Sequence, residues 1–549
     1  MNIIQLLKHW GLRGSGTNKA VFFCAVLLFI YSFAIYSKSL QNGFVWDSVG
    51  VILEDPMVRS IRNIPGFFIK PLTLGKTGNL GEGLTVNAIK YYRPLLSTLH
   101  TIEYALFGES PTGYKALNLI FNGLVVVLGF LVIRKLSLSI ALAFLASLIY
   151  ASTLARAEAV YWVYSDSHIL SALFSLSAFL AYFNGRKWIA LSLMVIGLLF
   201  QEGGVLFPML LIAHEGTHNT TEPLLDRIRR VAPFGLISVL YLAARHFVVG
   251  ELPSSSLSFW SLLKATGYQS WEHARIFLFP DGPATVYLYQ EGMFASSGSA
   301  STSGVLAFLF FLVIALALWR FRKDDFFWYW WFLAWIVVSF NVGIYGDYLM
   351  AEKTLYLASL GLSVLVARLL LFTKRYQLVG LTIISSVFLF NSIQLYARAD
   401  SWIDTTTYLE KVLQFEPEFD LALLQVGNSA YAEGRYEAAG RYYLRLLKLR
   451  PELVQSIGKN YEESILRQAE ELTIGGGIAR AILVLEEAVT IMDDSSELYN
   501  GLGNVHYISG NRLKAGEYWM FALQLDPGNS IARQNLKMLG TKNLVDGFH

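Results

Sequence analysis

Eleven apolar stretches recur along the first 400 positions, near 20–38, 116–133, 137–153, 168–184, 188–201, 203–214, 231–248, 303–319, 326–342, 354–372 and 377–396. Crossing ~30 Å of hydrocarbon takes about 17–25 helical residues, so this recurrence predicts a polytopic bundle of membrane helices. The fifth and sixth stretches are the shortest. The first has full spanning length and no small-residue cleavage site, so it reads as an anchor and not as a secretory signal. Composition agrees: 54% of the 549 residues are hydrophobic and only 15% charged, too apolar for a soluble chain of this length. The balance of 44 Lys and Arg against 41 Asp and Glu leaves no basic face for nucleic acid. A single cysteine, Cys24, excludes an intramolecular disulfide framework and a thiolate metal cluster.

Positive charge in short loops marks the cytoplasmic side of a membrane. With the N-terminus inside, Lys8/Arg13/Lys19, Arg134/Lys135, Arg186/Lys187, Arg227/Arg229/Arg230, Arg320/Arg322/Lys323 and Lys374/Arg375 all fall on that side. Eleven crossings then place everything after residue 396 outside, together with two long loops at 39–115 and 249–302. The expected organisation is a membrane domain over 1–400 and a soluble domain over 401–549 on the external face.

The tail carries its own period. Pro417 to Pro451 is 34 positions, the tetratricopeptide spacing. In that register one unit shows Leu423, Val426, Gly427, Ala439, Tyr443 and Pro451, and another Tyr499, Leu502, Gly503, Ala515, Trp519, Ala522 and Pro527. The 76 positions from Ala439 to Ala515 split at Ala481 into 42 and 34, so the middle unit has an eight-residue insertion, placed near Thr473–Gly477. Small residues let paired helices approach, and three units behind a leading helix near 404–416 suffice for an α-solenoid. Such a stack either binds protein partners or braces the membrane domain.

Ionisable groups gather where the spans reach the external face. Asp47 follows the first span, and Arg93 lies in the same loop; Glu158 and Asp166 flank the loop after the third span. Glu202 stands between the fifth and sixth, and Asp347, Glu352, Lys353 and Tyr356 precede or open the tenth. Singly, each is explained by snorkelling or helix-end pairing. Together they suit an enzyme handling a lipid phosphate and a polar acceptor, with a carboxylate to take a proton and Arg or Lys to hold the departing phosphate. His214 and His218, four residues apart, lack a third metal ligand and read as a solvated pair, so no metal ligand is assigned. Aromatic residues of the 249–302 loop, Trp260, Trp271, Tyr287 and Tyr289, suit a membrane boundary or a cover over the pocket.

The chain resembles the multispanning C-type glycosyltransferases, specifically the transmembrane-and-tetratricopeptide O-mannosyltransferase group and its bacterial relatives. The resemblance runs through Asn42-Gly43-Phe44-Val45-Trp46-Asp47, Tyr92-Arg93-Pro94-Leu95, Pro111-Thr112-Gly113-Tyr114 with Asn118, and Ala157-Glu158-Ala159-Val160 leading to Asp166. It resumes at Gln201-Glu202-Gly203 and at Ala351 to Gly361. The chain departs from the family where Ser48 replaces a second acidic residue, Thr153-Leu154 a His-Pro, Gln201 a lysine and Lys353 an arginine; Glu54 and Asp55 are candidates for the missing carboxylate.

The resemblance implies an all-α GT-C-like membrane domain and an inverting transfer of a sugar from a polyprenyl-phosphate donor to a hydroxyl, on a protein held by the repeats. Asp47 becomes the candidate catalytic base or acceptor-positioning carboxylate. Arg93 and Lys353 become candidate phosphate contacts by their charge, and Glu158, Asp166, Glu202, Glu352 and Tyr356 line the pocket. A divalent cation is left open as a cofactor. The alternatives are transfer to a glycolipid or polysaccharide, or a non-catalytic scaffold or transporter. Internal span repeats and midplane charges would mark a transporter, and neither stands out. The one Asn-x-Ser/Thr acceptor, Asn219-Thr220-Thr221, falls in a cytoplasmic loop, which favours a bacterial inner membrane with a periplasmic active face over the endoplasmic reticulum.

Overall fold

The structure is a computed structural model that describes residues 15–74, 89–219, 221–250, 259–278, 286–288, 299–337, 348–372 and 377–539. Lys8, Arg13, Thr220, Tyr289, Asp347, Lys374 and Arg375 lie outside the described residues. Contacts divide the chain into two compact units, the first running to Tyr408 and the second starting at Leu409.

The first unit is built of apolar helices. Six of those described are long and apolar enough to cross a membrane: Asn18–Gln41, Pro111–Ser137, Val163–Phe183, Leu224–Val249, Thr302–Arg320 and Glu352–Leu371. A seventh crossing exists if Ile140–Ser152 and Leu154–Tyr161, bent by 63° at their junction, count as one. The difference from eleven apolar stretches has a simple geometric cause. Hydropathy registers composition, whereas a span needs unbroken length, and the two shortest stretches, 188–201 and 203–214, fold as Lys187–Phe200 and Phe207–His218 around the short turn Glu202–Leu206. At 1.5 Å per residue these helices of 14 and 12 residues measure only about 21 and 18 Å. His214 and His218 therefore lie on a helix and not in a loop. Lys323–Val337, at 15 residues, is likewise short, while Gln377–Arg398 occupies the place of the last stretch.

Two short antiparallel strand pairs supplement the expected all-α architecture. Leu72–Leu74 pairs with Ile89–Tyr91, Leu72 opposite Tyr91, and Val286–Leu288 pairs with Tyr348–Ala351. The first pair ends immediately before the helix Pro94–Phe107, whose proline at the first turn costs no hydrogen bond. Gly108 closes that helix at φ 58° with its N–H on the Tyr104 carbonyl.

The second unit is a series of helix pairs. Asp420–Ala432 pairs with Tyr436–Leu449, Val454–Ile474 with Ile478–Ile491, and Ser496–Ile508 with Arg512–Leu525, followed by Ser530–Met538. The outer pairs repeat the same contact 76 positions apart. The Tyr443 hydroxyl donates to Asn428 Oδ1 at 2.7 Å, and Trp519 Nε1 donates to Asn504 Oδ1 at 3.0 Å. Beside each asparagine a glycine makes room for the ring: a Cβ on Gly427 would stand 2.9 Å from Tyr443, and one on Gly503 2.4 Å from Trp519. The expected insertion is not loop. Val454–Ile474 has 21 residues where its counterparts have 13, so the extra eight extend a helix, and the three glycines form the turn that follows. Substituting alanine at Gly503 forces the Trp519 ring out of place and should destabilise the second unit by about 1–3 kcal/mol, with Gly427→Ala smaller, as read from the urea midpoint of each variant.

Candidate functional site

The candidate site is assembled on the loop that follows the first span. Asn42 Nδ2 donates to the Ala399 carbonyl at 2.7 Å, Gly43 N–H to the Ile403 carbonyl at 2.8 Å, and Trp46 N–H to Thr405 Oγ1 at 3.0 Å. Glycine suits position 43, because a Cβ there would crowd the Ile403 carbonyl oxygen at 3.0 Å. On the other side, Trp162 Nε1 donates to the Val45 carbonyl at 3.0 Å and the Tyr164 N–H to Ser48 Oγ at 3.1 Å. Held from both sides, Trp46 adopts φ 52°, a left-handed conformation that costs a bulky L-residue energy. Asp47 is the next residue. Strain of this kind persists only where surrounding contacts over-determine it, and it collects at functional sites.

Asp47 opens on a cavity of about 450 Å³ that Glu54, Asp55, Lys70 and Ser97 also line. The two carboxylates considered as replacements for the one lost at Ser48 are thus brought to the same cavity. Glu54 is exposed, while Asp55 also caps the turn Pro56–Arg59 by accepting from the Met57 N–H at 2.9 Å. Burial pushes the Asp47 carboxyl up to about 6, against the pull of the Lys353 ammonium and a hydrogen bond with Trp46. A carboxylate poised there is a better proton acceptor near neutral pH than an ordinary aspartate.

Lys353 is held at the head of its helix by Glu158. Its backbone N–H donates to Glu158 Oε2 at 2.8 Å, its ammonium lies 3.7 Å from Oε1, and it sits 4.1 Å from the centre of the Trp162 ring. Arg93 makes a two-pronged pair with Glu202, Nε and Nη2 donating to the two carboxylate oxygens at 2.9 and 2.7 Å. Its remaining branch donates to the Tyr164 hydroxyl at 3.2 Å, and its plane lies 4.1 Å from the Tyr91 ring. Burial works against both charges, yet the pair prevails: Arg93 is held well above its ordinary value and Glu202 below its own. Arg93 is therefore already committed to an internal carboxylate, whereas the Lys353 ammonium has the longer and weaker anionic contact.

The other expected residues fall into separate groups. Glu352 accepts both of its short contacts from Arg398 Nη2, at 2.9 and 2.8 Å. The Tyr356 hydroxyl donates to Asn122 Oδ1 at 2.8 Å and accepts from Arg156 at 3.0 Å, within the bundle. Arg156, fully buried between Tyr150 and Tyr356, was not singled out from the sequence; a lone arginine among alanines beside an apolar run was the available signal. Asp166 opens the helix Asp166–Phe183 and groups with His100 and Glu103, not with Asp47. His214 and His218 stack with ring centres 4.6 Å apart, and His218 lies 3.8 Å from Asp324.

No protein-family profile matches the chain. Among curated proteins it is 34% identical over 154 residues to protein O-mannosyl-transferase TMTC3 of Homo sapiens, covering 28% of this chain and 16% of that one. It is 34% identical over 174 residues to protein O-mannosyl-transferase TMTC1 of Homo sapiens, covering 31% and 19%. The chain is similar to protein O-mannosyl-transferases. It spans less than a fifth of the length of these relatives. Among solved structures, ArnT from Cupriavidus metallidurans bound to undecaprenyl phosphate aligns over 92% of this chain and 79% of its own at 13% identity, with a TM-score of 0.35.

Removing Glu202 leaves the Arg93 charge, 6% exposed, buried and uncompensated. Glu202→Gln should lower stability by about 3–5 kcal/mol, and adding Arg93→Met should restore a substantial part of it. Thermal unfolding of the two single variants and the double variant, closed as a cycle, measures the pair directly.

Proposed function

We propose that the chain is a membrane glycosyltransferase that takes a sugar from a polyprenyl-phosphate donor and passes it to a hydroxyl of a protein. The observation that carries this reading is Asp47, partly buried beside an open cavity, its carboxyl pushed up to about 6 by burial and drawn by the Lys353 ammonium. The similarity to protein O-mannosyl-transferases supports the sugar-transfer class.

In this reading Asp47 accepts the proton of the acceptor hydroxyl as its oxygen attacks the anomeric carbon. The bond between that carbon and the phosphate oxygen breaks, and the electron pair leaves with the polyprenyl phosphate. Lys353 stabilises the charge gathering on that phosphate, and Arg93 adds a positive field from within its pair with Glu202. A single in-line displacement inverts the anomeric centre and needs no covalent intermediate on the protein. Binding donor and acceptor side by side supplies much of the rate by removing the entropy of their encounter. An N-terminus inside and an odd number of crossings would put the Asp47 cavity and the repeats on the external face. A bacterial inner membrane with a periplasmic active side fits the basic loops and the position of the Asn219 acceptor. The repeats would then present the acceptor protein.

In purified protein supplied with a lipid-linked sugar, Asp47→Asn should lower kcat by roughly 10²–10⁴-fold. Undiminished transfer would remove Asp47 from the mechanism. The wild-type rate should rise between pH 5 and 7 with a midpoint near 6, because the base works only once the Asp47 carboxyl, held at about 6, has ionised. A chain ending at residue 415 keeps the Thr405 contact to the Asp47 loop. It should lose transfer to folded protein acceptors while retaining transfer to a small soluble acceptor; equal loss of both would make the repeats a brace.

A further inference from the structure

One cluster in the membrane unit plays no part in the transfer chemistry. His100 and Glu103, three residues apart on the helix Pro94–Phe107, share a face of that helix, and Asp166 begins the helix Asp166–Phe183. All three side chains are 1% exposed. A ring nitrogen of His100 and one carboxylate oxygen from each of Glu103 and Asp166 all lie within 4.8 Å of one another. Yet His100 Nε2, both oxygens of Glu103 and both oxygens of Asp166 have no hydrogen-bond partner.

Buried polar atoms are almost always paired, and five unpaired ones on three side chains that converge call for a missing electrophile. The nearest cation does not supply it. Lys115, itself buried, donates to the Tyr161 carbonyl at 3.0 Å and reaches Asp166 only through its charge. A proton shared between Glu103 and Asp166 would satisfy one oxygen on each and leave the imidazole nitrogen orphaned. A divalent ion would engage all three side chains together.

We propose that His100, Glu103 and Asp166 ligate a divalent transition-metal ion, zinc or manganese. One imidazole and two carboxylates favour these ions over calcium or magnesium, which prefer oxygen alone. Bonds of about 2.0–2.2 Å set neighbouring ligand atoms roughly 3.3–3.5 Å apart, so ligand atoms within 4.8 Å of one another need approach by at most about 1.5 Å to close on an ion. Three protein ligands leave a position for water. The ion ties the helix that Arg93 precedes, which carries the cavity-lining Ser97, to the helix that follows Tyr164, so it is a strut beneath the Arg93–Tyr164 contact and not a participant at Asp47.

The test is elemental analysis of the full chain, purified without chelators from cells supplemented with zinc and manganese. The expected result is about one zinc or manganese per chain, a lower Tm after chelator treatment, and recovery of Tm on adding back Zn(II) or Mn(II). His100→Ala and Glu103→Gln should each reduce the metal content roughly 10-fold or more. Folded wild-type protein with less than about 0.1 equivalent and no change of Tm with added metal overturns the site. So does metal content unchanged in both variants. If neither variant folds, X-ray absorption of the wild-type metal decides. One imidazole with oxygen ligands supports the assignment, and two or more imidazoles refute it. None of these readouts depends on sugar transfer.

Discussion

The bend between Ser152 and Leu154 is the constraint on which the candidate site depends. Breaking a helix inside an apolar bundle strips carbonyls of their partners, and nothing in a hydrocarbon surrounding can replace them. Here Ser152 Oγ donates to the Ile149 carbonyl at 3.2 Å and Arg156 to that of Tyr150 at 3.1 Å, while farther along the segment Lys115 donates to the Tyr161 carbonyl and Asn118 to that of Val160 at 2.9 Å. With these carbonyls paired, the short stretch from Leu154 to Ser165, buried throughout, changes direction and brings its side chains against the Asp47 loop, Arg93 and Lys353. That stretch then supplies Glu158 to Lys353, Trp162 to the Val45 carbonyl, and Tyr164 to both Ser48 and Arg93. Each contact that shapes the surroundings of Asp47 on this side is made by the rebuilt segment.

The charges around it are arranged by degree of commitment. Glu352 and Arg398 are a close buried pair, and Glu202 and Arg93 a close pair with the arginine buried and the carboxylate half-buried, each partner answering the other's desolvation. Glu158 and Lys353 are looser at 3.7 Å, and Asp47 has only a more distant pull from that same lysine. The tightly paired groups hold helices in place. The loosely paired ones retain electrostatic capacity for something that arrives, which is where a substrate with one anionic and one protic group would be read.

Much of this was legible in the residues, and what was hidden follows a physical pattern. Apolar runs and repeat spacing are local properties, so the membrane helices and the helix pairs of the tail were visible, down to the glycines facing Tyr443 and Trp519. Asp47, Glu54 and Asp55 lie close in sequence and share a cavity for that reason. Partner choice is not local. The Arg93 contact to Glu202 spans 109 positions and that of Tyr356 to Asn122 spans 234, and charge type alone could not say that Arg93 would be occupied by a carboxylate of its own chain. His100 and Glu103 look like ordinary members of an amphipathic helix until Asp166 is brought beside them. The break at Glu202 was legible as two short stretches, but hydropathy alone could not say that the helices on either side, of 14 and 12 residues, fall short of a full crossing.

The lengthened helix Val454–Ile474 has a consequence for the tail as a surface. A stack of identical units offers an extended chain several equivalent positions, each offset by one unit and indistinguishable in energy. Two added turns carry one helix end roughly 12 Å past its counterparts, so the stack has a landmark. Anything long enough to lie across several units meets an overhang at a single place, and the degeneracy of alignment that uniform arrays impose is lifted.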